Sequence, residues 1–203
     1  MLDSLGEALL AGDLGLLYFA GSLHRPWLTP LMRGLTWLGD GWPMVLLATL
    51  SAIVLLLLRR GRQAGVLVLV TLLAFFLMAL IKGWIQRERP DVAWRLIERP
   101  PDPSFPSGHA MCGLTFYGLL GMIVARGCSR GLRRGMIALG LIIGLGVGCS
   151  RVYLGVHYPL DVLGGWLGGT AMILIGRALS EQPIATRENA RLPDSADPTV
   201  QSG

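Results

Sequence analysis

Five stretches of this chain, residues 42–58, 64–81, 108–125, 135–149 and 159–175, carry no Asp, Glu, Lys, Arg or His apart from His109 and Asp161. A helix that crosses a bilayer needs roughly 20 apolar residues, with about 17–25 the usual range. Four of the stretches, with 17 or 18 residues each, reach the lower end of that range as they stand, and residues 135–149 do once flanking residues are added. A soluble helical core of this kind would need polar partner helices, and the chain has none to offer. Composition agrees. Hydrophobic residues make up 52% and charged residues 15% of the 203, against about 25% charged in an ordinary soluble domain, and the mean hydropathy is +0.55. The expected fold is all-α: a single polytopic transmembrane helical bundle with five spans, or six if residues 8–23 also cross.

The N-terminal region, residues 1–40, is the part that hydropathy leaves open. Residues 8–23 are apolar but contain Asp13, which would sit near mid-membrane, and this favours a helix lying flat. The segment has neither the basic start nor the small-residue cleavage site of a signal peptide. Residues 26–38 carry Trp27, Leu28, Leu31, Leu35, Trp37 and Leu38 together with Arg33, the pattern of an amphipathic interfacial helix anchored by Trp. Residues 41–177 form the membrane core. Residues 178–203 are polar, contain Pro183, Pro193 and Pro198, lack an apolar period, and are expected to be a disordered cytoplasmic tail.

Short-loop charge sets the orientation. Arg59, Arg60 and Arg62 fill one tight loop, and Arg126, Arg130, Arg133 and Arg134 fill another. Two spans separate them, so they share a side, and the positive-inside rule makes that side cytoplasmic. The net charge of +5 is thus mainly a topology signal. No basic face is interleaved with exposed aromatics, so nucleic acid is not an expected partner; the bilayer is, and oligomeric state is left open. Cys112, Cys128 and Cys149 lack metal-ligand spacing and read as unpaired small hydrophobes. Small-residue spacing at Gly140, Gly144 and Gly148, at Gly164 and Gly168, and at Gly165 and Gly169 lets helices approach closely. It is expected to pack the last two spans together and so hold the loop between them.

The chemistry collects on the outward side. Lys82 interrupts an apolar run, and Arg87, Arg89 and Pro90 follow. The loop of residues 86–107 is long and proline-rich, and long loops in compact domains are usually functional or disordered. It ends in Pro106, Ser107, Gly108 and His109 directly before a span. Ser107 can cap that helix, and the backbone N–H of Gly108 can approach an anion at the helix N-terminus. The second outward loop runs Ser150-Arg-Val-Tyr-Leu-Gly-Val-His157-Tyr-Pro-Leu-Asp161. An Asp four residues after a His can accept its ring N–H and fix its tautomer. An ionisable group at the edge of a span is a functional candidate by default. Lys82, Arg89 and Arg151 then supply fixed cations suited to phosphate oxygens. His109 and His157 supply a nucleophile and an acid for attack and departure at phosphorus.

The three patterns, Lys-x6-Arg-Pro, Pro-Ser-Gly-His and Ser-Arg-x5-His-x3-Asp, resemble those of the type 2 phosphatidic acid phosphatase (PAP2) superfamily. Here they are complete and in order. The resemblance implies a metal-independent membrane phosphatase with no cofactor, multi-pass in a bacterial inner membrane with its site facing outward. It implies a catalytic set of His157 as the phosphohistidine-forming nucleophile, Asp161 as its orienting partner and His109 as general acid and then base. Lys82, Arg89, Ser107, Gly108 and Arg151 would bind phosphate. The substrate would be a lipid phosphomonoester or pyrophosphate: undecaprenyl pyrophosphate, phosphatidylglycerol phosphate or phosphatidic acid. Some undecaprenyl pyrophosphatases of the superfamily have Asp in place of Gly108. The superfamily also holds soluble vanadium haloperoxidases, a reading that the spans oppose. A non-enzymatic transporter is opposed by the placement of the charges at one face.

Overall fold

The computed structural model describes residues 2–181, and every regular element among them is helical. They are α1 (Leu2–Ser22), α2 (Leu28–Gly39), α3 (Gly41–Leu57), α4 (Gly61–Ile85), α5 (Gly108–Val124), α6 (Arg130–Tyr153) and α7 (Pro159–Glu181). Residues 178–181 complete the last turn of α7, because helical hydrogen bonding continues past the apolar stretch. The rest of the expected tail lies outside the described residues.

By length and hydropathy α4, α6 and α7 can each cross a membrane, and α2 with α3 passes as a fourth span bent by 61°. The bend falls at Gly39-Asp40-Gly41, with Pro43 in the first turn of α3. Helix α5 has only 17 residues, yet it is the most enclosed element. Met111, Cys112, Phe116 and Leu119 are buried in the core that it shares with α4. The outside of the bundle is apolar instead: Trp42, Leu57, Leu72, Phe76, Ile142 and Leu167 are all exposed. That inversion is the surface of a protein embedded in a membrane.

The glycine seams work differently from expectation. Helices α6 and α7 do not close mainly on each other; both close on α5. A Cβ at Gly144 of α6 would lie 2.7 Å from the Leu114 Cα, and one at Gly165 of α7 would lie 2.7 Å from the Ser107 carbonyl oxygen. Only glycine permits such approach. Gly148, facing Trp166 of α7, and Gly164, facing Phe105 in the loop before α5, are the exceptions in the set. The seams therefore clamp the start of α5 between the two helices that carry Arg151 and Asp161.

The two basic loops do share one end. Arg60 donates to the Arg126 carbonyl oxygen at 3.4 Å, Arg62 to that of Leu179 at 2.6 Å and Arg126 to that of Ser180 at 3.0 Å. Such bonds satisfy the orphan carbonyls of helix C-termini and suit their dipole. The opposite end holds the C-terminus of α4, the N-termini of α5 and α7, the C-terminus of α6 and the α2–α3 corner.

Candidate active site

At that opposite end the structure gathers side chains from all three sequence patterns. His157 lies in the short loop between α6 and α7 and is buried. Its Nε2 is 2.9 Å from Arg89 Nη1. A guanidinium only donates, so Nε2 must accept, and the ring proton resides on Nδ1. Nδ1 faces Asp161 Oδ2 at 3.4 Å and Ser104 Oγ at 3.3 Å. Burial, opposed by the hydrogen bond to Asp161 and reinforced by the charges of Arg89 and Arg151, drives the His157 pKa down to about 3. The imidazole is therefore neutral at ordinary pH, with a directed lone pair.

Asp161, in the first turn of α7, is held from every side. Its Oδ2 accepts from the Ser104 hydroxyl and, at 2.9 Å, from the Tyr158 N–H. Its Oδ1 accepts from Arg87 Nη1 at 2.6 Å. Arg87 in turn reaches Asp13 Oδ2 at 2.6 Å, and Asp13 Oδ1 accepts the Leu160 N–H at 2.9 Å. Asp13 is thus no stray charge in an apolar helix. It is buried and paired, so Asp13 no longer favours a flat α1 over a spanning one.

The cations of the first pattern also come together. Asp102 bridges them, with Oδ2 2.7 Å from Lys82 Nζ and Oδ1 2.9 Å from Arg89 Nη2. Burial alone would raise the Asp102 carboxyl, but the hydrogen bond from Lys82 and the charge of Arg89 outweigh it and hold it below the usual range. Arg89 donates further to the Asp102 and Val156 carbonyl oxygens at 2.8 Å each, and Lys82 donates to that of Pro103. Arg151, in the last turn of α6, donates from Nη1 to Thr36 Oγ1 at 2.5 Å, while its buried Nε has no partner. A buried orphan N–H calls for a ligand or an ordered water.

Ser107 is the N-cap of α5, accepting from the Ala110 N–H at 3.5 Å, and its own N–H is spent on the Asp161 carbonyl oxygen at 3.0 Å. Its hydroxyl hydrogen remains available. A Cβ at Gly108 would meet only the flexible Met78 side chain, at 3.3 Å, so space alone does not require glycine at this position. His109 points to the α2–α3 corner, where its Nε2 lies 2.8 Å from Asp40 Oδ1. A polar cavity of about 510 Å³, lined by residues 86–89 and 99–103, opens beside Arg89.

All eight residues singled out from the sequence thus lie at this end of the bundle. Six more were missed: Asp13, Thr36, Asp40, Arg87, Asp102 and Ser104. Asp13 carried a usable signal, since a charge within an apolar helix is usually paired. Arg87 stood in the basic cluster after Lys82 but outside the family pattern; Thr36 lies within α2, and Asp40, Asp102 and Ser104 are polar residues in a cap or a loop, with nothing in their spacing to mark them.

Comparison with known proteins gives the family. Residues 63–183 match the PAP2 superfamily. The chain is 32% identical over 163 residues to phosphatidylglycerophosphatase B of Bacillus subtilis (strain 168), covering 79% of each protein. It is 34% identical over 125 residues to an undecaprenyl-diphosphatase of Sulfolobus acidocaldarius, covering 57% of this chain and 55% of that one. The fold superposes on the crystal structure of a transmembrane PAP2 type phosphatidylglycerolphosphate phosphatase from Bacillus subtilis with a TM-score of 0.81 and 28% identity, over 89% of this chain and 90% of the other. Three ordered patterns, one buried His–Asp pair among cations and a shared bundle have a single common source: this chain belongs to the PAP2 superfamily.

Proposed function

We propose that the protein is a membrane lipid phosphatase that transfers a phosphoryl group from a lipid phosphomonoester or pyrophosphate to His157 and then to water. The observation that carries this reading is the bond from Arg89 to His157 Nε2. It leaves the imidazole unprotonated on the atom that must attack, with Asp161 behind the other nitrogen. When a phosphate arrives, Arg89, Lys82 and Arg151 turn their donors to its oxygens, with the Ser107 hydroxyl and the Gly108 N–H beside them. Nε2 then attacks phosphorus. The bond from phosphorus to the lipid oxygen breaks with its electron pair on that oxygen, and His109 gives the proton. In the second step His109 takes a proton from water as the water oxygen attacks phosphorus. The P–N bond breaks, its electrons return to Nε2, and inorganic phosphate leaves. Preorganised cations stabilise the charge of both transition states, so the reaction needs no metal.

The apolar exterior beside a charged site suits an amphiphile whose chain stays in lipid. The names of the relatives, a phosphatidylglycerophosphatase and an undecaprenyl-diphosphatase, put phosphatidylglycerol phosphate and undecaprenyl pyrophosphate first among candidates, with phosphatidic acid beside them. The positive-inside rule puts the site on the extracytoplasmic face of the membrane. We count five or six spans, with α5 crossing inside the collar of α4, α6 and α7.

The decisive experiment is phosphate release by purified protein in detergent, with EDTA present, from a panel of these three lipids. Wild type should turn over at least one of them and form an acid-labile, base-stable phosphoenzyme. His157→Ala should lose at least about 10⁴-fold in turnover and all phosphoenzyme. Phosphoenzyme on the variant, or EDTA inactivation reversed by Mg²⁺, would overturn the assignment.

A further inference from the structure

Asp is among the best residues for a helix N-cap, because its carboxylate accepts the free N–H groups of the first turn. Asp40 is the N-cap of α3, with the extended backbone that a cap requires, yet its side chain makes no capping bond. The carboxylate turns away from α3 and accepts from His109 Nε2 at 2.8 Å. The glycine before it makes this contact possible: a Cβ at Gly39 would lie 2.8 Å from His109 Cδ2. The break between α2 and α3 therefore forgoes local helix stabilisation to present a bare backbone and a carboxylate to one imidazole 69 residues away. One turn earlier, Thr36 of α2 holds Arg151.

We propose that Asp40 is a positioning residue for His109, the counterpart of Asp161 for His157, so that the site is built from two carboxylate–histidine pairs. The inference rests on the reading of His109 as general acid. An ionised carboxylate only accepts, so Nε2 keeps its proton throughout and Nδ1 is the nitrogen that exchanges one. In the first step the Nδ1 proton goes to the departing lipid oxygen, which keeps the electron pair of the broken P–O bond. The ring is left neutral, with Nε2–H still on Asp40. In the second step Nδ1 takes a proton from the attacking water. Asp40 holds the ring plane through both steps and stabilises its protonated form.

A positioning role and a merely structural one predict different results. General acid help matters for a poor leaving group and little for a good one. Asp40→Ser keeps a capping side chain for α3 but removes the carboxylate, and Asp40→Asn is nearly isosteric. Both should be assayed as full-length protein for single-turnover phosphoenzyme formation on phosphatidic acid and on p-nitrophenyl phosphate. The rate on phosphatidic acid should fall at least about tenfold, and that on the aryl phosphate by less than about threefold. The unfolding temperature of Asp40→Ser in detergent should be unchanged or higher. Equal losses on both substrates, or no loss on either, would overturn the proposal. His109→Ala run beside them separates the two levels of inference. If that variant depends on the leaving group and the Asp40 variants do not, only the role of Asp40 falls. If it does not depend on the leaving group, the general-acid reading falls and the Asp40 proposal with it.

Discussion

Arg126 and Arg151 sit at opposite ends of the bundle, and each is held by hydrogen bonds to a neighbouring helix. Arg126 is half-buried and spends its donors on the Ser180 carbonyl and hydroxyl oxygens of α7. Arg151 is almost fully buried, has Thr36 as its one side-chain hydrogen-bond partner among the described residues, and keeps an Nε without a bond among them. The same contrast holds for the groups around them. At the basic end, Arg60 and Arg62 also meet carbonyl oxygens. At the other end, Arg87 and Arg89 meet carboxylates and an imidazole. Guanidinium groups that tie off helix ends serve assembly and topology. A guanidinium buried with a donor to spare, as Arg151 is, is costly to fold, and the proposed function gives that cost a purpose: an anion that comes from outside.

The comparison is most directly tested by exchanging Arg for Lys at each end. Arg151→Lys keeps the charge and loses the planar fork, so turnover should fall about 100-fold, roughly 2.7 kcal/mol of transition-state stabilisation. Arg126→Lys should stay within about twofold, since a surface bond to carbonyl oxygen is worth little. Equal losses in kcat/KM would erase the distinction between the ends.

Next in size is the response of stability to pH, which should come from the site end alone. His157 has a folded pKa of about 3, below its unfolded value of about 6.5. Between those values the unfolded chain binds a proton that the folded one does not, so stability rises with pH there and levels off above about 6.5. The paired carboxylate of Asp102 adds a slope of the same sign at the acid end. His157→Gln should remove most of the slope between pH 4 and 6.5 in thermal unfolding in detergent, in about the range that these pKa values set. An unchanged slope would mean that His157 is not held neutral by its surroundings. Arginines do not titrate in this window, so substitutions at the basic end should leave the slope intact.

The smallest effects concern the glycines. Gly165→Ala pushes a Cβ towards the Ser107 carbonyl oxygen at 2.7 Å and should cost about 1–3 kcal/mol of stability. Gly135→Ala, in open space on α6 at the basic end, should be neutral or stabilising by up to about 1 kcal/mol. A matching loss at both positions in unfolding experiments would show that helix propensity, not close approach to α5, governs them.

How far the sequence foretold this arrangement depends on the kind of signal. The helices were legible because apolar runs are long and charge marks their ends. Lys82, Arg89, His109, Arg151, His157 and Asp161 were legible because their residue types are rare at span edges and their spacings recur in one family. Asp40 was not legible, since an Asp between two glycines before an apolar run reads as an ordinary cap. Only the bend of α2 against α3 turns it towards His109. Asp13 was visible but misjudged: its partner Arg87 is 74 residues away, and hydropathy weighs a charge without knowing what will neutralise it. The glycine seams were seen, but their facing was not, because small-residue spacing marks a close surface without naming the helix that fills it.

The bridge from Asp102 to Lys82 and Arg89 has a consequence for how the site meets its ligand. Those two cations are already neutralised by a carboxylate that belongs to the chain. On the proposed reading, an incoming phosphate does not fill a void there; it exchanges places with an anion. The affinity that a titration reports is therefore a difference between two anions competing for one pair of cations, and it is smaller than the gross attraction of either. The same exchange runs backwards after hydrolysis, when Asp102 competes with inorganic phosphate for the cations it has lost. A site that binds its own carboxylate at rest is a site from which product can be displaced.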